Sequence, residues 1–223
     1  MAWRSHFRTV VVLVAGLAVL IAVVVGWGWL LTHPLLSTIG PGDNRLSREF
    51  AEARTPTLSA IAEVGTFVGE TWLGAAVLLC MGGAFALTRR TLRPVLYVVV
   101  TYGGLGALYV LATHVDTRPR PPVKILDPGL IQDHSFPSGH TATTTAIVGC
   151  LIALTTTYAP RARRWVLPLV VLPVLTLVAR LYQGAHHLSD VLTSLVYASA
   201  WVWFTWRVLL APVSEERRVS TRP

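Results

Sequence analysis

Two runs of residues hold the groups able to do chemistry in this chain. Phe136-Pro137-Ser138-Gly139-His140 leads into a long apolar segment, and the stretch from Arg180 through His186 to Asp190 joins two more. Guanidinium groups, two imidazoles and a carboxylate are thereby held at the mouths of apolar segments, where a charge needs a function to be retained. Displacement at phosphorus asks for this set. Such chemistry is mostly positioning, plus neutralisation of oxygens that stay negative throughout. Planar guanidinium groups pair two phosphate oxygens at once, and N–H groups at a helix N-terminus add fixed positive poles.

Each part has a candidate. Pro137 favours a first helical turn, and Gly139 lets the backbone approach an anion closely. Ser138, Gly139 and the neighbouring amides can therefore cradle phosphate, while His140 projects from the first turn as proton donor. His186 and Asp190 are four apart, on one face if a helix has begun by then. An Asp accepting from one imidazole nitrogen fixes the tautomer and leaves the other nitrogen free to attack. Arg180 ends the preceding apolar segment and can point into the same pocket. Arg118 and Arg120 sit in Arg118-Pro119-Arg120-Pro121-Pro122, where prolines stiffen the loop that presents them.

The elements that must position these groups are membrane helices. The chain has 223 residues, 53% hydrophobic and only 13% charged, with a mean hydropathy of +0.57. Soluble domains average about a quarter charged residues. Apolar stretches long enough to cross a bilayer fall at about 9–31, 65–87, 94–112, 141–159, 165–183 and 188–210. The expectation is an all-α, integral membrane bundle of six transmembrane helices in one domain, 1–223. The first apolar run is too long for a signal peptide and no small-residue cleavage site follows, so it reads as a retained helix. The polar segment 32–59 reads as a short interfacial helix, with a lid over the site as the weaker alternative. Gly65 and Gly69 form a small-xxx-small spacing that permits close helix contact and carries no function of its own.

The formal charge of +8 does not point to nucleic acid, because the basic residues form short clusters between apolar segments, as topology determinants do. Arg4, Arg8, Arg89, Arg90, Arg93, Arg161, Arg163, Arg164, Arg207, Arg217, Arg218 and Arg222 fall on one side. They outnumber Arg45, Arg48, Arg54, Arg118, Arg120, Lys124 and Arg180 on the other. Both termini are therefore expected in the cytoplasm and every candidate site residue on the outer face. Trp27, Trp29, Trp201, Trp203 and Trp206 read as interfacial anchors. Cys80 and Cys150 read as buried single thiols with no disulfide or metal cluster. Asp116, Asp127 and Asp133 read as solvated loop charges, His33 and His114 as hydrated interfacial residues, and His187 as a bystander. The predominance of Arg over Lys suits a GC-rich bacterial genome.

With these residues in place, the chain resembles the membrane-bound type 2 phosphatidic acid phosphatase family, which is related in its site to vanadium haloperoxidases. The family's three motifs are Lys-x6-Arg-Pro, Pro-Ser-Gly-His and Ser-Arg-x5-His-x3-Asp. The second is intact at Pro137 to His140. The third matches at Arg180, His186 and Asp190, with Ala179 in place of its Ser. The first matches at Arg120-Pro121, with Thr113 in place of its Lys. The resemblance implies that His186 is the nucleophile, forming a phosphohistidine oriented by Asp190. By the same resemblance His140 protonates the leaving group, and Arg120, Arg180, Ser138 and Gly139 hold the phosphoryl oxygens. No cofactor or metal is implied.

Three readings of Thr113 stay open: Arg118 or Lys124 supplies the missing charge, Thr113 itself makes a neutral contact, or the enzyme is slow or specialised. Arg118 is favoured, because the sequence offers it no other partner. The implied substrate is a lipid phosphate or diphosphate with its tail in the bilayer: a polyprenyl diphosphate, phosphatidic acid or phosphatidylglycerol phosphate. An outward-facing bacterial site tilts towards the polyprenyl carrier. A phosphotransferase, or an impaired relative that only binds lipid phosphate, is the alternative.

Overall fold

The computed structural model describes residues 2–211, so Arg217, Arg218 and Arg222 lie outside the described residues. Among the described residues nine α-helices follow one another: α1 (Ala2–Thr32), α2 (Leu36–Glu52), α3 (Pro56–Phe67), α4 (Thr71–Arg89), α5 (Arg93–Val115), α6 (Gly139–Tyr158), α7 (Arg163–Val166), α8 (Val171–Tyr182) and α9 (Leu188–Leu209). A 3-10 turn, Leu167–Val170, joins α7 to α8. No strand occurs among the described residues, apart from a single bridge between Arg118 and His134. The protein is an all-helical, multi-pass membrane protein.

Among the described residues five segments are long and apolar enough to cross a membrane: His6–Thr32, Thr71–Arg89, Arg93–Val115, Gly139–Tyr158 and Arg163–Tyr182. Helix α9, at 22 residues, has the length but is not among them. The stretch expected as one span over 65–87 is broken. Helix α3 starts on Pro56, with Thr55 as N-cap accepting from Leu58 N at 3.2 Å, and stops at Phe67. A turn through Gly69 and Glu70 then starts α4. That break places Glu70 outside both helices.

Helix α6 is the centre of the bundle and packs against α4, α5, α8 and α9. Its buried threonines need partners in a medium without water. Thr144, Thr145, Thr155 and Thr157 each donate to the carbonyl four residues back. Small residues let neighbours close in. A Cβ at Gly104 would stand 2.5 Å from Trp201 Nε1, and one at Gly74 would stand 2.3 Å from Thr143. Trp201 is therefore no interfacial anchor: it is buried and donates to Thr101 O at 3.0 Å across α5 and α9. Trp29 and Trp203 are exposed as expected. Of the two thiols Cys150 is buried and Cys80 is exposed, because Cys80 lies on the outer face of α4.

The polar segment forms α2, which buries Gly40, Asp43 and Ser47. Its buried face turns towards the loop before α9, where Asp43 and Asn44 meet Ser189 and His187.

Candidate active site

The turn between α8 and α9 is built locally. Gln183 caps α8, Gly184 adopts φ +71°, and two bonds close the end: Gly184 N to Leu181 O at 3.0 Å and Ala185 N to Arg180 O at 3.1 Å. This is the pair of reversed bonds expected when a helix ends on a left-handed glycine. A side chain at 184 would also strike Val123 and the carbonyl of Lys124. The next residues, His186 and His187, precede α9, whose first turn is capped reciprocally by His187 and Asp190. His186 and Asp190 are thus not on one helix face, since α9 begins only at Leu188.

His186 is buried, and its Nδ1 donates to the backbone carbonyl of Ser135 at 2.6 Å. A carbonyl only accepts, so Nδ1 carries the proton and Nε2 of the neutral ring keeps its lone pair. The expected partner, Asp190, stands 4.0 Å from Nδ1. Its carboxylate instead accepts from Ser135 Oγ at 2.6 Å and His187 N at 2.9 Å, and pairs with Arg118. Asp190 therefore holds the two segments that frame His186. Burial, with Arg180 and Arg120 close by, pushes the His186 imidazole well below its ordinary value.

Arg180 is 0% exposed. Its Nη1 binds Asp127 at 2.7 Å and Gln183 at 2.9 Å, while Nε and Nη2 have no partner among the described residues. Arg120 is held by Ile131 O at 2.8 Å and by Ala185 O. Burial first, then the neighbouring Arg180 charge, lowers the Arg120 guanidinium from its ordinary value. Two buried cations side by side, one with an open fork, form a receptor for an anion.

His140 starts α6 and lies beside Glu70, with Nε2 3.3 Å from Glu70 Oε1. Ser138 is the N-cap: its Oγ accepts from Thr141 N, and its own N–H donates to Ser194 Oγ at 2.8 Å. Ser138 thus shapes the turn at the start of α6. The amides of Gly139 and His140, first in the helix, are the ones without an intrahelical acceptor.

Several expectations need correction. Arg118 is not free to reach phosphate. It is buried between Asp43, at 2.9 Å, and Asp190, and it also donates to Ser189. No sequence spacing linked it to Asp43, 75 residues earlier. Lys124 points its side chain outwards. Thr113 is buried, and its hydroxyl has no partner among the described residues. Asp127 is no solvated charge, because it pairs with Arg180. Asp116 is buried against α1, at the place where Gly28 leaves room, and burial pushes its carboxyl up. Asp133 is exposed, as are His33 and His114. His187 is structural, meeting Asp190, Ser135 and Asn44.

Glu70, Ser135 and Asp43 were missed in sequence. Ser135 directly precedes Phe136 and had a positional signal. Glu70 had a weaker one in the glycine spacing before it, since a Cβ at Gly69 would stand 2.8 Å from His140. Asp43 had none.

The chain is similar in structure to a transmembrane PAP2 type phosphatidylglycerolphosphate phosphatase from Bacillus subtilis. The TM-score is 0.65 at 20% identity, over 95% of this chain and 96% of that one, which speaks for a shared fold. Comparison with curated protein sequences gave no significant match. The family model of the PAP2 superfamily matches residues 94–213, more than half of the chain. That stretch runs from α5 to beyond α9 and contains His140, His186, Arg120 and Arg180, so the chain belongs to the PAP2 superfamily.

Proposed function

We propose that this protein hydrolyses a lipid phosphate or diphosphate through a phosphohistidine formed on His186. The observation that carries the reading is the unpartnered Nε–Nη2 edge of Arg180, buried beside the guanidinium of Arg120 and the imidazole of His186. Such a pair of buried cations is costly alone and favourable around an anion.

The residues then divide the work. Arg180, Arg120 and the amides of Gly139 and His140 hold the phosphoryl oxygens. The Nε2 lone pair of His186 attacks phosphorus, the bond to the leaving oxygen breaks, and that oxygen takes a proton from His140. Water next attacks phosphorus, the P–N bond breaks with its electron pair returning to Nε2, and His140 accepts the water's proton. Ser138 shapes the turn that aims the amides, and Asp190 orders the segments around His186. No metal enters the scheme.

A hydrocarbon tail is supported by an apolar groove of about 570 Å³ between α3 and α8, lined by Ile61, Gly65, Leu175 and Ala179 among others. Ala179 adjoins Arg180, so a chain in the groove leads to the phosphate position. The whole chain, 1–223, acts as one membrane domain in which α9 is the sixth span. Basic residues gathered at Arg89–Arg93 and Arg161–Arg164 favour a cytoplasmic placement of that end. The site then faces outwards, in a bacterial cell membrane, and a polyprenyl diphosphate is the favoured substrate.

The test is phosphate release by purified protein in detergent with EDTA, across prenyl diphosphates, phosphatidic acid and phosphatidylglycerol phosphate. Release that disappears in His186→Ala supports the reading, and product analysis with an added alcohol acceptor separates hydrolysis from phosphotransfer. No release from any ester by folded protein refutes it.

A further inference from the structure

Helix α5 brings a phenol to the anion site that no motif marks. Tyr109 lies on α5 one turn before Thr113, on the same face. Its ring packs over the first residue of α6, where a Cβ built on Gly139 would stand 3.3 Å from the ring edge. Gly139 thus leaves room for an aromatic ring at the N-terminus of α6, whose first amides are the proposed anion donors. The phenol lies within electrostatic range of Arg120 and Arg180. It makes no hydrogen bond among the described residues. Tyr109 is only partly buried, so its hydroxyl is open to a ligand.

The donors around this point therefore share one condition. The Nε and Nη2 groups of Arg180 lack acceptors, the first amides of α6 lack intrahelical ones, and the Tyr109 hydroxyl lacks one too. A single multivalent acceptor between them satisfies all of these. Meanwhile Thr113 is buried with its own hydroxyl unpaired, Arg118 is consumed by two carboxylates, and Lys124 faces outwards. Neither cation considered for the place of the missing lysine is placed to meet phosphate, whereas Tyr109 offers a neutral donor.

We propose that Tyr109 is a phosphate-binding residue of this protein, its hydroxyl donating to a phosphoryl oxygen held by Arg120 and Arg180. The assignment rests on the phosphatase reading for its catalytic consequence, though not for the binding itself. A phenol donates one hydrogen bond without adding a charge, so the site binds phosphate with one cation fewer than a lysine at position 113 would supply.

The experiment uses the full chain in detergent and compares wild type, Tyr109→Phe and the double variant Tyr109→Phe/Thr113→Lys. Binding of inorganic phosphate is measured by calorimetry, turnover by phosphate release from a lipid phosphate, and folding by thermal melting. Tyr109→Phe keeps the ring over Gly139. It is expected to weaken phosphate binding at least fivefold and lower kcat/KM at least tenfold, with an unchanged melting temperature. The double variant is expected to regain most of the phosphate affinity. Wild-type affinity and turnover in Tyr109→Phe overturn the proposal and leave the phosphatase reading standing. A fall in turnover that tracks a lower melting temperature, at unchanged phosphate affinity, also overturns it. Should wild type bind phosphate but hydrolyse no ester, the phosphatase reading falls, and weaker phosphate binding by Tyr109→Phe still upholds the binding role.

Discussion

The Nδ1 of His186 donates to the backbone carbonyl of Ser135 at 2.6 Å, while the nearest oxygen of Asp190 stands 4.0 Å away. A carboxylate beside a histidine four residues earlier invites the reading of a direct pair. Here the carbonyl fixes the tautomer. The carboxylate binds Ser135 Oγ and His187 N, the residues that carry His186 on either side.

Asp190 is itself held by Arg118, which also binds Asp43. Removing the guanidinium strands two buried carboxylates, and breaking such a buried pair costs about 3–5 kcal/mol. Arg118→Ala is expected to lower the melting temperature and the turnover together. Phosphate affinity of the remaining folded protein is expected to stay near wild type. A variant that melts normally yet loses phosphate affinity would return Arg118 to the anion site.

The imidazole of His186 sits well below its ordinary value through burial and two guanidinium neighbours. A histidine nucleophile, the role proposed for His186, must be neutral, so the free protein is expected to keep its activity as pH falls past the ordinary histidine value of about 6.5. The acid limb of kcat/KM is expected below that pH. Bound phosphate adds negative charge and favours the imidazolium, so the acid limb of kcat is expected at higher pH than that of kcat/KM. Coincident limbs at or above the ordinary value contradict this placement of His186.

Arg180 offers a planar fork that lysine lacks. Arg180→Lys keeps a charge able to meet Asp127 but loses the Nε–Nη2 edge. Turnover is expected to fall by about 10²–10³, the usual loss for one transition-state donor. Steady-state kinetics on a lipid phosphate measure it, and a loss under threefold would remove the fork from the mechanism.

Glu70 stands 3.3 Å from His140 Nε2. If Glu70 orients His140 as the proposed proton donor, the effect of its loss depends on the leaving group. Glu70→Gln is expected to slow hydrolysis of an alkyl phosphate by about tenfold, within the range general acid catalysis contributes. It should hardly affect p-nitrophenyl phosphate, whose leaving group needs no proton. Equal losses on both esters would assign Glu70 to structure alone.

Much of this protein was written in local patterns. The apolar runs determined the helices of the bundle, because a bilayer demands continuous hydrogen-bonded apolar segments. Gly184 and the residues around it determined the turn after α8, since only glycine fits φ +71° there without strain. Pro137 to His140 and the Arg180, His186 and Asp190 spacing marked the residues of the proposed anion site. Tertiary structure decided the partners. The pairing of Arg118 with Asp43, of Asp127 with Arg180 and of Glu70 with His140 joins residues far apart along the chain. So does the burial of Trp201 against Thr101. Charge and amphipathic tips can be satisfied by any neighbour that the folded helices bring within reach. Their partners are therefore set by helix packing, which closes wherever small residues such as Gly69, Gly74 and Gly104 allow.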